Sequence, residues 1–584
     1  MSRKKTARKK VKPSRKPVAG NAKPIANPEK AFAEAVQHYQ SGQLPEARKR
    51  ALALERQLPE QIEIKQLLGV ILLAENEPAK AVEVFRKALE RAPQSAELAD
   101  LLGVALMEAE HLVEAVTSFR RSLMTDQRNP GTLNNLGSAL KKLGQLREAR
   151  DTYLLSLQYR PDHPPALSNL GSVLVDLKEY ERAEEVLRRA TELAPDMVEA
   201  YINLAFVQME RRTISEAIAS CQKALELDSG NVSALNNLGR AYMAIGRHDE
   251  AETSIREALK VNPQHTETLQ AMGIQHFLRG RWAEAWECYD QRWHIEGSRL
   301  RAFPQPLWQG EPVHGKTILV WGEQGVGDEI MFTSMVPDLL AQGANVILEL
   351  DSRLVTLYQR SFPSVRCVPR QTPPVSVTGE AGIDFQISCG NLGKWLRSDE
   401  ASFAGQPSFL MPDPNRILEC RQRHKDKIDD QVIGISWRSA NPDIGDDKSM
   451  NLMLLKPLAL LPNVTLVDLQ YGDTEMERAE FESETGVHIY RDPEIDATDD
   501  LDGLAAQISV MDSIVSISNT TVHMAGALGV QTNVMLPVTP LWRWMFDRED
   551  SPWYSSVSLF RQLEVGCWEP VVEKVTKEIA AVSL

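Results

Sequence analysis

The stretch that decides the fold of the N-terminal half is LSNLGSVLVDLKEYERAEEVLRRATELAP, at residues 167–195. It carries two apolar stripes at helical spacing, which are Leu167, Leu170, Gly171 and Leu174, then Ala183, Val186, Leu187 and Ala190. The small residues Gly171 and Ala183 let the two helices approach closely. Pro195 ends the second helix and sets the following turn. The stretch therefore predicts a helical hairpin.

This hairpin recurs every 34 residues. The small position is taken by Ala35, Gly69, Gly103, Gly137, Gly171, Ala205, Gly239 and Gly273. Twelve residues after each small position comes an alanine. Twenty-four residues after five of the small positions comes a proline, namely Pro59, Pro93, Pro161, Pro195 and Pro263. Eight such units fill residues 28–299 and resemble the tetratricopeptide repeat. One hairpin cannot bury its apolar face alone, so the pattern predicts an α-solenoid, a superhelix with a concave groove.

Four consecutive units carry an asparagine two residues before the small position: Asn135, Asn169, Asn203 and Asn237. Stacked helices would align these amides, and an amide row can donate and accept hydrogen bonds to an extended peptide backbone, whatever its side chains are. A similar ladder lines the repeats of O-linked N-acetylglucosamine transferases, which this half resembles. The alternative is that asparagine is merely tolerated on a polar helix face. The outer units have Ala33, Leu67, Leu101 and Ala271 instead, which confines any ladder to the middle of the array.

The charge of the 584-residue chain is divided unevenly. Residues 1–24 hold ten Lys or Arg and no acid, and the remaining 56 basic and 80 acidic residues give −24. The tail, residues 1–27, is predicted to be disordered, because it has almost nothing apolar to bury. It serves either as a solubilising tail or as a weak anchor to anionic lipid, nucleic acid or an acidic partner. The acidic remainder argues against a generic nucleic-acid binder in the folded part.

Cysteine usage and hydropathy restrict the compartment. Six scattered cysteines without a C-x-x-C pair argue against a disulfide scaffold or zinc ribbon and favour a reducing, cytoplasmic location. No apolar run reaches 18 residues and no secretory signal follows the start, so no transmembrane segment is expected.

The periodicity changes after Trp308. Short apolar runs at 317–321, 346–350, 432–437, 464–469, 514–517 and 532–536 read as strands. Helical stretches at 330–340, 352–362, 451–461, 502–512 and 521–528 alternate with them. Alternating β and α predicts parallel sheets covered on both faces. We expect two Rossmann-like halves, 300–428 and 429–584, joined through the charged segment 419–430, with ligands beyond the carboxyl ends of the strands.

The first motif of the C-terminal half is GEQGVGDE, residues 322–329. It follows a strand and opens a helix, so backbone N–H groups near Gly325 and Gly327 would face a ligand. It lacks the Lys-Ser/Thr of a P-loop and the spacing of G-x-G-x-x-G. Asp328 is either a capping carboxylate or a general base at the cleft.

The second motif is SNTTVHMAGALG, residues 518–529. A strand ends, polar residues cap a helix, and that helix stays small, which together make an anion site. The alternative is a well-capped, close-packed helix whose histidine is satisfied locally. The candidate residues of this anion site are Ser518, Asn519, Thr520, Thr521, His523 and Gly526.

Two further motifs follow strands. GISWRSANP, from residue 434, places Arg438 after a strand with Lys448 beyond it, where both could neutralise a leaving diphosphate or remain solvated loop charges. PLWRW, from residue 540, with Trp553 and Tyr554, offers rings that stack on a base or sugar or that pack the domain closed.

Together these four motifs resemble the transferase half of bacterial tetratricopeptide-repeat glycosyltransferases, which are related to heptosyltransferases of the GT-B fold. The resemblance covers most of residues 300–565 and implies sugar transfer from a nucleotide-sugar, without a bound metal or other cofactor. It implies that Asp328 is the base and that Arg438 or Lys448 binds the donor. His523 matches the histidine of the donor-binding turn. Ser518 stands where those enzymes have aspartate, which weighs against an ADP-heptose donor.

We therefore expect an inverting, metal-independent glycosyltransferase that acts on a polypeptide held in the repeat groove, with a flagellin-like protein as one possible acceptor. One alternative keeps the enzyme but changes the acceptor to a lipid or glycan, with the repeats recruiting an assembly partner. The other is a non-catalytic interaction scaffold with a degenerate transferase domain. The acidic pair Asp500 and Asp502 forms D-x-D but reads as a helix cap.

Overall fold

The computed structural model describes residues 27–294, 301–372, 374, 376, 382–405, 407–423, 431–441 and 445–582. The predicted disordered basic tail, all but its last residue, lies outside these described residues. The chain divides into two compact units, one up to Arg211 and the other from Arg212 onward. The predicted domain boundaries at 27, 299 and 428 stay predictions.

The first unit is an α-solenoid, as predicted from the 34-residue period. Its described part holds eleven helices, of 13 or 14 residues each. They are α1 (Pro28–Gln40), α2 (Leu44–Gln57), α3 (Ile62–Ala74), α4 (Pro78–Arg91), α5 (Ala96–Glu108), α6 (Leu112–Thr125), α7 (Pro130–Lys142), α8 (Leu146–Tyr159), α9 (Pro164–Asp176), α10 (Tyr180–Leu193) and α11 (Val198–Glu210).

Five of the six glycines of the repeat pattern face a large side chain sixteen residues later in the same hairpin, whereas Gly273 faces Cys288. A Cβ built on Gly103 would lie 2.5 Å from Cε1 of Phe119, and one on Gly137 would lie 2.7 Å from the ring of Tyr153. In the first repeat, where alanine replaces glycine, the residue sixteen positions later is the small Ala51. The close approach of the paired helices thus depends on matched sizes at the two positions, because protein interiors are packed without spare volume.

The second unit begins with the remaining repeat helices α12 (Ile214–Leu227), α13 (Val232–Ala244), α14 (His248–Val261), α15 (Thr266–Leu278) and α16 (Trp282–Tyr289), followed by a 3-10 turn at Asp290–Trp293. The α/β part comes next, with the strands predicted from the alternating pattern and three more. Its strands are β1 (Thr317–Trp321), β2 (Asn345–Leu350), β3 (Arg366–Pro369), β4 (Phe385–Ser388), β5 (Gln431–Ser436), β6 (Val464–Asp468), β7 (Ser513–Ile517), β8 (Thr532–Leu536) and β9 (Val557–Arg561).

The helices of the α/β part cover two separate parallel sheets. They are α17 (Val326–Thr333), α18 (Val336–Ala341), α19 (Val355–Ser361), α20 (Gly393–Leu396), α21 (Pro414–Arg423), α22 (Gly445–Lys448), α23 (Lys456–Ala459), α24 (Glu475–Thr485), α25 (Leu501–Ile508), α26 (Thr520–Leu528) and α27 (Glu569–Val582). Short 3-10 turns lie at Cys389–Leu392, Glu400–Phe403, Leu452–Leu455 and Trp542–Trp544. The first sheet has the order β3-β2-β1-β4 and the second β6-β5-β7-β8-β9, with every pair parallel. The expected α/β fold with two Rossmann-like halves is confirmed.

These strand orders fix where ligands can reach. In each sheet the chain builds outward on one side of the first strand and then crosses to the other side. The crossing points lie between β1 and β4 in the first half and between β5 and β7 in the second. Loops leave a sheet in opposite directions at such a point, and the crevice between them is the usual ligand site of open α/β folds.

The last repeat is built into the core of the α/β part. Phe277, Trp282 and Trp286 are almost fully buried in the same apolar cluster as the first sheet. Trp286 Nε1 donates to the Arg397 carbonyl oxygen at 2.8 Å, and Phe277 stacks on Trp542 with ring centroids 4.2 Å apart. The final hairpin therefore forms one wall of the region beside the first crevice.

Candidate functional site

The glycine-rich loop after β1 leads directly into α17. Gly325 is the N-cap residue in extended conformation, and Asp328, three residues later, accepts its N–H at 3.3 Å. The capping role considered for Asp328 is therefore present. The next residue, Glu329, is fully buried beneath the loop and forms an ion pair with Arg370 at 2.8 Å. Burial raises the pKa of Glu329 to about 7, against the opposing effects of the Asp351 N–H and of Arg370.

The loop after β7 is held by side-chain hydrogen bonds across the second crossing point. Asn519 is the N-cap of α26, and its Oδ1 accepts the Thr521 N–H at 3.1 Å. Its Nδ2 donates to Ser436 Oγ at the end of β5, at 2.6 Å. Ser518 Oγ accepts the Trp544 indole N–H at 2.7 Å. Ser518 and Asn519 thus have local partners, while Thr520 begins the helix whose first N–H groups lack carbonyl partners.

The N-terminal turns of α17 and α26 pack directly against each other, which brings the two halves together at one place. A Cβ on Gly327 would lie 2.8 Å from Cδ2 of His523 and 3.6 Å from the Thr520 Cα. Gly526 is similarly tight, because its Cβ would lie 2.5 Å from the Tyr554 ring. The glycines noted in the sequence therefore permit helix contact, and the positive ends of two helix dipoles converge here.

Between these turns lies a cluster of four side chains, which we call the charged cluster: Asp328, Lys448, His523 and Arg543. The Arg543 Nη2 forms an ion pair with the Asp328 Oδ1 at 2.5 Å. Its Nη1 lies 3.2 Å from His523 Nε2. Arginine can only donate, so Nε2 accepts and Nδ1 carries the imidazole proton toward the Tyr554 hydroxyl oxygen at 3.0 Å. Burial holds the pKa of His523 well below its usual value, and the positive charges of Arg543 and Lys448 lower it further, so this ring is neutral.

Lys448 supplies a second buried cation. The residue is 8% exposed, and its ammonium has no hydrogen-bond or ion-pair partner among the described residues. Burial, assisted by Arg543 and opposed by Asp328 and Asp447, lowers the pKa of Lys448 to about 8. A buried ammonium that forms no ion pair is costly unless an anion joins it.

Arg438, the other cation suggested by the sequence, lies elsewhere. Its guanidinium donates to the Asp473 carbonyl oxygen and lies 3.3 Å from Glu477 Oε2 at the start of α24. The structure brings Lys448 to Asp328 but gives Arg438 carboxylate and carbonyl partners of its own. Arg543 was not singled out from the sequence, where its motif was valued for its aromatic rings. The available signal was a lone arginine between two tryptophans shortly after the carboxyl end of β8.

A cavity of about 430 Å³ adjoins the glycine-rich loop. Its walls come from the last repeat, from that loop and from Trp542, next to Arg543. Tyr289 in its wall accepts a hydrogen bond from Gln324 Nε2 at 2.8 Å. The cavity combines aromatic and polar lining, with Phe277, Tyr289, Arg292, Glu323, Gln324 and Trp542 as its main residues.

The first crossing point is closed by an arginine from the repeats. Arg292 Nη2 forms an ion pair with Glu323 Oε1 at 2.7 Å and also donates to Asn391. The same Glu323 oxygen accepts the Gly390 N–H at 3.1 Å, so the loops after β1 and β4 are joined through it. The last repeat therefore contributes side chains to the crevice of the first half.

The predicted asparagine row lies on the first helices of its hairpins. Asn169 Nδ2 donates to Asn134 Oδ1 at 3.0 Å, in the preceding repeat. Asn135 is bonded in the same diagonal way to Asp100, whose pKa is raised by burial. Each amide has two N–H donors and two acceptor lone pairs, so these bonds leave capacity for a peptide. Asn203 is half-buried and Asn237 buried, and binding of a peptide by any of the four stays a prediction.

Neither a metal site nor a membrane helix is found in the described ranges. No group of three or more His, Cys, Asp or Glu side chains there is placed to hold a metal ion. Asp500 caps α25 and pairs with Arg416, as the cap interpretation of the D-x-D sequence predicted. None of the helices in the same ranges has the length and hydropathy needed to cross a bilayer.

Comparison with known proteins identifies the class of the N-terminal half. Family models described as tetratricopeptide repeat match residues 32–96, 67–132, 128–196, 168–232 and 208–273. Residues 32–273 thus consist of tetratricopeptide repeats, and such repeats are typical of protein-binding domains.

Protein FlbA of Caulobacter vibrioides is a curated relative of this chain, 31% identical over 309 residues. The match covers 50% of this chain and 51% of FlbA, so the chain spans about half the length of that relative. Two solved repeat proteins overlay on smaller parts. YrrB, described as a tetratricopeptide-repeat protein with an unusual peptide-binding site, is 24% identical with a TM-score of 0.28 and covers 33% of this chain and 98% of its own. Pseudomonas aeruginosa PilF is 23% identical with a TM-score of 0.33 and covers 35% and 94%.

Proposed function

We propose that this protein is an inverting glycosyltransferase of GT-B type that moves a sugar from a nucleotide-sugar to a protein hydroxyl. The observation that carries the proposal is the charged cluster at the meeting point of α17 and α26. Two buried cations and two helix N-termini surround one carboxylate there, which favours a ligand with a doubly charged leaving group next to a base.

The donor diphosphate would bind at the N-terminus of α26, with Lys448 and Arg543 as its cationic partners. The acceptor hydroxyl would attack the anomeric carbon as the bond from that carbon to the diphosphate oxygen breaks. Asp328 would take the hydroxyl proton, and the nucleoside diphosphate would leave with the bonding electron pair. A single displacement of this kind inverts the anomeric centre, and it calls for no metal because the cations and helix dipoles offset the leaving charge.

The repeat groove would hold the acceptor. The asparagine row of the middle repeats suits an extended backbone, and the cavity beside Tyr289 and Trp542 lies between the last repeat and the glycine-rich loop. A polypeptide bound along the last repeat would pass beside this cavity. A flagellin-like protein in the cytoplasm is one acceptor that the family resemblance allows.

Intact-mass analysis of cellular proteins, with and without this enzyme, tests the proposal. We expect one or a few proteins to carry a mass increment of a sugar residue only when the wild-type chain is present. Asp328→Asn should abolish the increment while leaving the far-UV circular dichroism spectrum unchanged. An increment on lipid or glycan alone would move the acceptor away from protein. Absence of any modified product, with a flat thermal shift across a panel of nucleotide sugars, would favour the non-catalytic scaffold.

A further inference from the structure

The charged cluster holds more buried positive charge than negative charge. Arg543 and Lys448 are each 8% exposed, His523 is neutral, and Asp328 is the only carboxylate of the cluster. Asp328 is paired with Arg543, and Asp447, the other carboxylate that acts on Lys448, is paired with Arg212 at 2.6 Å. A buried charge without an ion-pair partner is costly. The cluster is therefore built for a second anion in addition to the Asp328 carboxylate.

The geometry of Arg543 shows where that anion would bind. The Arg543 Nη2 is paired with the Asp328 Oδ1, and its Nη1 contacts the His523 Nε2. The buried Nε of Arg543 has no hydrogen-bond partner among the described residues. Nη2 and Nε form one edge of the planar guanidinium, and that edge suits two oxygens of a single phosphate. Asp328 uses half of the edge, so a bidentate phosphate would have to displace it.

We propose that Arg543 is a positioning residue that pairs in turn with two anions, Asp328 and a bound diphosphate. A diphosphate that binds at Lys448 draws the Arg543 guanidinium away from Asp328, which frees the carboxylate for the acceptor hydroxyl. This inference rests on the proposed function only for the identity of the diphosphate as a donor group. Donor binding would thereby prepare the base, because removal of the guanidinium leaves both lone pairs of the Asp328 Oδ1 open to the acceptor hydroxyl. The inference also predicts competition between Asp328 and the bound anion.

Calorimetric titration of the full-length chain with inorganic pyrophosphate tests this competition without requiring sugar transfer. Asp328→Asn removes the competing charge but keeps an oxygen that can accept the Gly325 N–H. We expect it to bind pyrophosphate about five- to tenfold more tightly than the wild-type chain does. Arg543→Gln should weaken binding at least about tenfold, and in that background Asp328→Asn should give much less tightening because no ion pair remains to be broken.

Matched controls separate a local effect from a general one. Glu564→Gln makes the same charge change in an exposed loop and should leave the dissociation constant within about twofold. Asp328→Ser, which also keeps a capping oxygen, replaces Asp328→Asn if the latter does not fold.

Three results would overturn the inference. They are unchanged or weaker pyrophosphate binding by both Asp328 variants, equal tightening with and without Arg543, and no binding by any of the chains. Sugar transfer measured on the same preparations keeps the two proposals distinct. Transfer without competition refutes the exchange alone, whereas competition without transfer under any donor refutes the glycosyltransferase and leaves the exchange standing.

Discussion

Replacing Lys448 by methionine should make the protein more stable and its anion site weaker. The ammonium is buried beside Arg543, with no partner among the described residues, and the pKa of Lys448 is lowered from 10.5 to about 8. At about 1.4 kcal/mol per pH unit, this lowering corresponds to about 3 kcal/mol of destabilisation at neutral pH. Screening by solvent reduces the effect, so we expect a gain of about 1–3 kcal/mol in Lys448→Met at pH 7.

The pH dependence of this gain has a defined sign. Below about pH 8 the lysine is charged in both the folded and unfolded states, and the folded state bears the full cost of the buried charge. Between about pH 8 and 10.5 the unfolded chain keeps the proton that the folded protein releases, so wild-type stability rises relative to the variant. The difference should be full at pH 7 and close to zero above pH 10.5. The facing charges are Arg543, which adds to the cost, and Asp328 and Asp447, which reduce it.

Differential scanning calorimetry of the full-length chain measures the effect in the transition of the second unit. A gain of this size should raise its midpoint by roughly 1–4 °C in a unit of more than 300 residues. Lys577→Met, an exposed change on α27, should alter stability by less than about 0.5 kcal/mol. A Lys448→Met chain no more stable than wild type at pH 7, or a gain that persists unchanged at pH 10.5, would refute the reasoning.

Other parts of the chain give further predictions. Gly103→Ala should cost about 1–3 kcal/mol of unfolding free energy, because the added methyl group collides with Phe119. Adding Phe119→Leu should recover part of this loss in thermal melts, and an equal loss with and without that second change would contradict the size matching. Gly327→Ala should push α17 away from His523 and weaken pyrophosphate binding in a protein that still folds, whereas unchanged affinity would show that the helix contact does not shape the site. Replacing Asn135, Asn169 and Asn203 together by alanine should weaken acceptor-protein binding by about 0.5–1.5 kcal/mol per amide, as measured by calorimetry. Nucleotide-sugar binding should not change, and an unaffected acceptor affinity would count against the asparagine row.

The repeats were predictable because their signal is local and repeated. A helical hairpin is specified by apolar spacing and by small residues at fixed positions, and eight copies reinforce one another. In the α/β part, β1 and β8 have the predicted bounds, while β3, β4 and β9 were missed. The first two are only four residues long and the third follows an irregular aromatic segment, so none carries a distinct apolar run in the sequence. The predicted helix at 330–340 begins earlier and is divided into α17 and α18, with Pro337 in the first turn of the second.

The candidate site was only partly predictable, because its members are brought together by packing between the two halves. Motif position was enough to nominate Asp328, Lys448 and His523, since each follows or caps an element at the carboxyl edge of a sheet. Nothing local distinguishes Arg438 from Arg543, however. The choice between them depends on which carboxylate lies nearby, Glu477 for one and Asp328 for the other. Such long-range pairing becomes visible only in three dimensions.

The burial of the last hairpin in the α/β core also decides how this protein can be divided for experiments. A cut between the last repeat and the α/β part would strip Phe277, Trp282 and Trp286 of their packing and leave a large apolar face on both fragments. Each piece would then tend to aggregate, and loss of binding or activity would be mistaken for loss of a functional residue. Fragments that carry the α/β part should therefore start upstream of α15, so that the last repeat hairpin is kept as their first structural element.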